Sequence, residues 1–467
     1  MAYCLRALTL VLGVSAATGG LAQDAPTIPP HSAWPLIVDV GSDPILQLGR
    51  ARGSFDEFRG LVAAAVRRHP GTRESLALSE EAGAFLSEAR ARRLPSADFS
   101  VTSYRVISRA FSNDPQNIVE RSRAEQRTDA TLSVQQTLFD FGAGRLRVES
   151  AGARLRSAAA EVETAANQIA LGAIAAWYDV FGYRALVTLT ETFVANQREL
   201  KAAVEERVRQ GVSAEGDVAR VESYIASAET RQARFRRSLA NAEARLAELT
   251  GSPPPSRLER ATPPDAPALS KEAAALAAAQ GPAVRAAEEA AEAARKEAKA
   301  TKRDEYGSLS AGVDAGRYGV IENDRDYDIR ARVSFRQRLF GGIDARTSQS
   351  RARASAAVAR ADRVREEASR DAAIAWSDVA ALEDQLAALE ASYLAARRSR
   401  DVIAERFRVA RGSLFDVVAA EDSYFEAAAS YVQTLTELDA ARYVLLSRTG
   451  RLLAVLAIEP ASLEAAK

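Results

Sequence analysis

The chain has 467 residues, and its 62 lysines and arginines balance its 62 aspartates and glutamates, so its formal net charge is zero. This balance, with no concentrated basic block, excludes nucleic acid as an expected partner. Charged residues make up 27% of the chain and aromatic residues only 6%, which is typical of long helices with charged surfaces rather than of several globular domains.

Residues 1–22 have the pattern of an export signal peptide. Arg6 precedes an apolar run, and Gly20-Leu21-Ala22 forms a small-residue cleavage site. Removal of this segment takes away Cys4, the one cysteine, so disulfides and cysteine-ligated metals are not expected. The proline-containing stretch 23–54 shows no sustained period, and we predict that it is an irregular extension.

Four short segments with a period of two follow the first helical pattern, which begins near Phe55 and continues after Pro70. They are predicted as strands over about 95–106, 129–139, 306–318 and 327–340. In the last, Tyr327, Ile329, Val333 and Phe335 alternate with polar residues. A single such strand is more typical of a half-buried hairpin, but four of them beside very long helices in an exported chain favour strands that span a bilayer.

Each strand pair leads into a long helix, predicted over about 143–210 and 343–410, and then through a glycine-containing turn into a return helix, 217–250 and 416–449. The unit occurs twice, since a shift of about 199 positions carries Trp177 onto Trp376. We assign residues 55–251 to the first repeat and 270–458 to the second. A stiff proline-rich linker, 252–269, separates them, and 459–467 form a C-terminal tail.

Four strands cannot close a barrel, and an open sheet edge in lipid leaves backbone groups without hydrogen bonds. Two chains would supply eight strands and a narrow lumen, whereas three would supply twelve and a water-filled one. The polar face of the last strand favours the wider lumen, and we assign four residues to it: Arg330, Arg332, Arg336 and Arg338.

The order of these motifs resembles that of outer membrane factors of the TolC family, over roughly residues 56–458. The motifs are Leu-Phe-Asp-Phe-Gly at 138–142, Gly-Val-Ser-x-x-x-Asp-Val at 211–218 and a related turn at 410–417. The resemblance implies a mixed α/β membrane protein: a homotrimeric, twelve-stranded outer-membrane β-barrel continued by a long periplasmic α-helical barrel. It also implies a location in outer-membrane lipid, and partnership with a periplasmic adaptor (membrane fusion) protein and an inner-membrane transporter.

The resemblance further assigns roles to the two turns. The tips that contact the adaptor are Gly211, Val212 and Ser213 in the first repeat and Arg411, Gly412 and Ser413 in the second. Asp416 and Asp217 fall at the periplasmic gate, although an aspartate at a helix start can equally serve as an N-cap.

No enzyme is expected, because only His31 and His69 are present and no metal, triad or cofactor constellation can be assembled. Gly142-Ala143-Gly144 lacks the rest of a phosphate-loop fingerprint. The turn at 207–218 and the ending at 443–453 resemble members that serve type I protein secretion with an ABC exporter. Two alternatives remain: the outer-membrane component of a multidrug efflux pump, and a periplasmic coiled-coil protein without a pore.

Overall fold

The computed structural model describes residues 29, 38–50, 53–108, 124–261, 263, 269–322, 326–409 and 411–459. The predicted signal peptide, residues 109–123 of the first strand-joining loop, residues 264–268 of the linker and residues 460–467 of the tail lie outside the described residues.

The described chain is mostly helical, and local sequence explains several helix starts. Pro70 occupies the first position of its helix, and His69 Nδ1 accepts a hydrogen bond from Gly71 N–H at 3.0 Å as the cap. Ser54 and Ser270 cap two other helices in the same manner. The helices are α1 (Pro44–Arg50), α2 (Phe55–Arg68), α3 (Pro70–Ala91), α4 (Ala143–Arg209), α5 (Glu215–Thr250), α6 (Lys271–Ala278), α7 (Pro282–Arg303), α8 (Ile343–Arg408), α9 (Leu414–Arg448) and α10 (Leu452–Val455).

The four strands are β1 (Ser96–Arg105), β2 (Gln126–Phe139), β3 (Ser308–Tyr318) and β4 (Asp326–Arg336). They form one antiparallel sheet in the order β1-β2-β3-β4. A register shift between Thr137 and Phe139 marks a bulge near the end of β2. Within the described residues, β1 and β4 each have only one neighbouring strand, so each leaves one edge of the sheet unpaired.

The chain divides into two compact units, each described here by itself. The tip unit comprises residues 38–50, Gly182–Leu239 and Ala388–Gln433. The sheet unit comprises residues 53–181, Ala240–Ala387 and 434–459, including all four strands. Its core contains the aromatic cluster in which Phe58 lies 5.3 Å from the ring of Trp177 and 5.6 Å from that of Tyr443.

Three sequence predictions differ from the structure. The extension 23–54 contains the helix α1 within its described part, because Asp43 accepts hydrogen bonds from the first helical N–H groups. The strand predicted over 327–340 ends at Arg336, so Arg338 lies beyond β4 in the segment that leads to α8. The linker, predicted to be an extended spacer, is buried at Leu258, Arg260 and Ala261.

Among the described helices, none has a stretch both apolar enough and long enough to cross a bilayer.

Candidate functional site: the sheet and the helical turns

The two faces of the sheet differ in polarity across all four strands. Register places Phe99, Leu132, Ala315 and Ile329 in one row, and the large side chains of this face are exposed. The next row, on the opposite face, consists of polar residues: Asp98, Ser133, Asp314 and Arg330. An exposed apolar face opposite a polar one is the pattern of a sheet between lipid and water.

Two of the four arginines assigned to the lumen are neutralised within the sheet. Arg330 pairs with Asp328, and Arg332 lies 3.5 Å from the carboxylate of Asp314. Arg336 ends β4 on the same face and has no carboxylate partner among the described residues. Positive charge on this face is therefore concentrated where the sheet meets the helices.

Asp140 turns the chain from β2 into α4. Its carboxylate accepts hydrogen bonds from the N–H groups of Gly142 at 3.0 Å and Gly144 at 2.5 Å. Phe141 packs edge-to-face against Phe139, with ring centres 4.8 Å apart, and has a positive φ of 53°. These two N–H groups already donate to the carboxylate of Asp140, so they are not free to bind a phosphate. The alternative of a phosphate loop at 142–144 therefore has no support in the structure.

The first turn of the tip unit depends on a glycine. Gly211 has a φ of 72°, in the left-handed region that favours glycine. The Val212 N–H then returns to the carbonyl of Arg207 at 2.8 Å, which closes the C-terminus of α4. Val212 remains exposed and Ser213 half-buried.

The second turn is held by Ser413. Its Oγ accepts a hydrogen bond from Asp416 N–H at 3.2 Å, so Ser413 is the N-cap of α9. Arg411 N–H donates to the carbonyl of Arg406 at 2.9 Å. Gly412 is packed closely, since a Cβ at this position would lie 3.2 Å from the backbone nitrogen of Phe407.

The two aspartates assigned to the gate are both the third residue of their helices, Asp416 in α9 and Asp217 in α5. The N-cap alternative is therefore wrong for both, because the capping position lies three residues earlier. Their carboxylates instead face the positive end of the helix dipole from within the first turn. Asp416 is exposed and Asp217 is half-buried.

The turns of the two repeats lie side by side in the tip unit. Arg207 donates a hydrogen bond from Nη1 to the carbonyl of Phe407 at 3.1 Å, and its guanidinium lies 4.3 Å from the centre of that ring. A buried apolar cluster lies beneath them: Val204, Val221, Phe407, Leu414, Val417 and Val418. The helix ends that lead into the two turns are thus brought together from sequence positions about two hundred residues apart.

Sequence reasoning missed a buried polar cluster around Asp43. Its carboxylate accepts hydrogen bonds from Ile45 N–H at 2.9 Å and Tyr393 Oη–H at 2.8 Å, and it pairs with Arg397. Burial raises the pKa of the Tyr393 phenol, which keeps the hydroxyl protonated as the donor. The Asp-Pro pair at 43–44 was the available signal, since aspartate followed by proline is a common helix start.

Arg260 forms a second buried ion pair, in the sheet unit. Its guanidinium binds the carboxylate of Asp439 at 2.5 and 2.8 Å, and both side chains are almost fully buried. Beside it, the carbonyl of Glu259 accepts from the Trp177 indole at 3.2 Å, and that of Ala261 accepts from the Tyr178 hydroxyl. The linker therefore contacts the long helix α4 of the first repeat and the return helix α9 of the second.

Residues 61–252 match the family of outer membrane efflux proteins. No curated protein was found to match the chain by sequence.

Solved outer-membrane proteins share the fold of most of the chain. VceC of Vibrio cholerae has a TM-score of 0.74 at 18% identity, over 84% of this chain and 96% of that one. The CmeC channel of Campylobacter jejuni has a TM-score of 0.74 at 14% identity, over 96% and 94%. The MtrE channel of Neisseria gonorrhoeae, in its open state, has a TM-score of 0.67 at 19% identity, over 85% and 89%.

The family match covers residues 61–252 and the structural likeness shows the fold, and both agree with the amphipathic sheet and the paired helical turns. Residues 61–252 are thus similar to the family of outer membrane efflux proteins, and the chain has the fold of solved outer-membrane channels.

Proposed function

We propose that three copies of the chain form a twelve-stranded barrel and a helical tunnel that together serve as the exit duct of a tripartite export system. The unpaired edges of β1 and β4 support this assembly, because each would pair with the other edge in a neighbouring copy. The apolar face of the sheet would then contact lipid and the polar face would line water. A pore-free coiled coil does not account for such a sheet.

We propose type I protein secretion, with an ABC exporter and an adaptor, as the specific role. The observation that carries it is the sequence at the first turn, Arg-Val-Arg-Gln-Gly-Val-Ser at 207–213, together with the ending at 443–453, which resemble secretion members. The test is deletion in the native host with comparison of the culture medium by mass spectrometry. Loss of one or a few secreted proteins supports the role, and an unchanged set of secreted proteins contradicts it.

Multidrug efflux is the second candidate, and the description of the matched family as efflux proteins favours it. The same deletion strain distinguishes the two roles. Sensitivity to several unrelated toxic compounds, with normal protein secretion, would assign the duct to a drug pump. A neighbouring gene for an ABC exporter, or for a large proton-driven pump, would give the same distinction.

The adaptor contact is assigned to the two turns of the tip unit, where exposed Val212 and Phe415 offer apolar surface outside the buried cluster. We expect Gly211→Val to abolish export, because valine cannot adopt a φ of 72° without strain. Gly216→Ala is the matched control, since a Cβ there meets nothing within 4 Å. Export at the wild-type level in Gly211→Val, with assembly intact, would remove this turn from the contact.

A further inference from the structure

A cavity of about 680 Å³ lies in the sheet unit, where β2, β3 and β4 end against α3, α4, α7 and α8. Its walls carry more arginines than carboxylates. Arg336, one of the lining residues, lies on the polar face of β4, opposite the exposed apolar face.

The acidic side chains of this cavity are already engaged. Asp304 pairs with Arg147, and Glu305 accepts a hydrogen bond from Thr347 Oγ1 at 2.5 Å. Asp140 holds the two backbone N–H groups at the start of α4. Asp140 and Glu305 are held by neutral donors and keep their negative charge, while Arg147 and Arg92 are paired with Asp304 and Glu88, so the lining retains a net positive charge of about two.

Four arginines of the lining have no carboxylate partner among the described residues: Arg93, Arg336, Arg338 and Arg346. They come from the end of α3, the end of β4, the segment after it and the first turn of α8. Farther along β4, by contrast, Arg330 and Arg332 are each matched by an aspartate. The unmatched charge is thus gathered at one place rather than spread along the strand.

We propose that this cavity binds a multiply charged oxyanion, of the phosphate or polycarboxylate class, from the water inside the duct. Arginine presents planar paired donors that match such oxygens, and several guanidiniums around one cavity attract an anion more strongly than separate surface charges. The proposal rests on the proposed duct, because the duct places the polar face of the sheet in water. In a trimer, three such cavities would concentrate anions where the helices meet the barrel.

Inorganic pyrophosphate is the probe, titrated calorimetrically into the detergent-solubilised full-length protein at low salt. We expect the wild type to bind it and the double variant Arg336→Gln/Arg338→Gln to bind at least about tenfold more weakly, the loss expected for one charge-assisted hydrogen bond. Arg234→Gln/Arg237→Gln is the matched control, because it removes two exposed arginines of α5 that do not line the cavity. This control should bind as the wild type does.

Arg346→Gln provides a second test if the double variant fails to assemble, because Arg346 lies on helix α8 and not on or beside the strand. We expect this variant also to bind pyrophosphate more weakly than the wild type does. Absence of pyrophosphate binding by the wild type, or equal binding by the wild type and the cavity variants, would overturn the proposal. Failure of the wild type to form conducting pores would instead refute the duct, and the titration would still decide on the cavity.

Discussion

At the scale of single residues, the main stabilising contacts in the tip unit involve charges removed from water. Asp43 is 1% exposed, yet it satisfies two backbone N–H groups, a tyrosine hydroxyl and an arginine. A buried carboxylate with this many partners is stable only while all of them remain in place. The contact fixes α1 against α8 and gives the N-terminal extension a structural role.

We expect Asp43→Ala to destabilise the protein by about 3–5 kcal/mol, because it leaves Arg397 and Tyr393 buried without their acceptor. Thermal unfolding followed by circular dichroism measures the effect. Asp39→Ala, an exposed aspartate of the same extension, is the control and should shift the transition little. Equal transitions for wild type and Asp43→Ala would show that the extension is not held by this carboxylate.

Asp416 is the residue that we propose for the gate. A trimer would bring three copies of this exposed carboxylate near one axis, where like charges attract cations and repel anions. We expect Asp416→Ala to lower cation preference and to reduce block by divalent cations in planar bilayers. Asp384→Ala, which removes an exposed charge from α8, should leave both unchanged.

The same ion selectivity and divalent sensitivity in Asp416→Ala and wild type would leave Asp416 with only its favourable interaction with the dipole of α9. The start of α9 does not require the Asp416 side chain as a cap, because the Oγ of Ser413 already caps the first turn. Asp217→Ala, tested beside it, reports whether the half-buried aspartate of the first repeat contributes to the gate.

At the scale of elements, α4 and α7 are joined by ion pairs along their length in the sheet unit. Glu149 pairs with Lys296 at 2.8 Å, and Arg156 pairs with Glu289 at 2.7 Å. Small residues let the two helices approach, and Ser157 Oγ–H donates to the carbonyl of Ala286 at 2.9 Å. Each exposed pair contributes little alone, but the row fixes the register of one helix against the other.

Lys296, and next Arg145, hold the pKa of Glu149 below its ordinary value of 4.5. A carboxylate with a lowered pKa in the folded state contributes stability above its unfolded pKa and loses it as the pH falls through the folded pKa. We therefore expect Glu149→Gln to be less stable than the wild type at neutral pH, and the difference to vanish below the folded pKa.

Thermal unfolding of both proteins from pH 7 down to pH 3 measures this difference. Glu161→Gln, on α4 but exposed and without such a pair, is the control and should show no pH-dependent difference from the wild type. A gap between wild type and Glu149→Gln that stays constant through the acidic range would contradict the role of the ionised carboxylate.

At the scale of the whole molecule, the open sheet supports the proposed trimer. Four strands with two unpaired edges cannot persist in lipid, because the backbone groups of those edges have no water to bind. We expect the detergent-solubilised protein to have the mass of three chains, measured by light scattering corrected for detergent. A stable monomer that keeps its β-sheet signal would refute the trimer.

The sequence by itself determined the order and type of the repeated strands and long helices, because these follow from local periodicity, but it missed the short helix α1. The alternation along β4 indicated an amphipathic strand, and the glycine turns marked the reversals at Gly211 and Gly412. The strand was nevertheless predicted to run too far, to about residue 340, because alternation continues past Arg336, the last residue that pairs with β3.

Only the tertiary structure decided which charges meet. Asp43 pairs with Arg397 and Arg260 with Asp439, across hundreds of residues, and the linker is buried at Arg260 where its prolines indicated a spacer. Likewise, the sequence assigned four arginines to one lumen, whereas the structure pairs Arg330 with Asp328 and Arg332 with Asp314 and leaves Arg336 without a carboxylate partner among the described residues. Periodicity predicts the face of a strand or helix on which a residue lies. A charged side chain, however, is neutralised by the opposite charge that the fold brings within a few ångströms of it, and the distance between two groups far apart in sequence is not encoded in any local pattern.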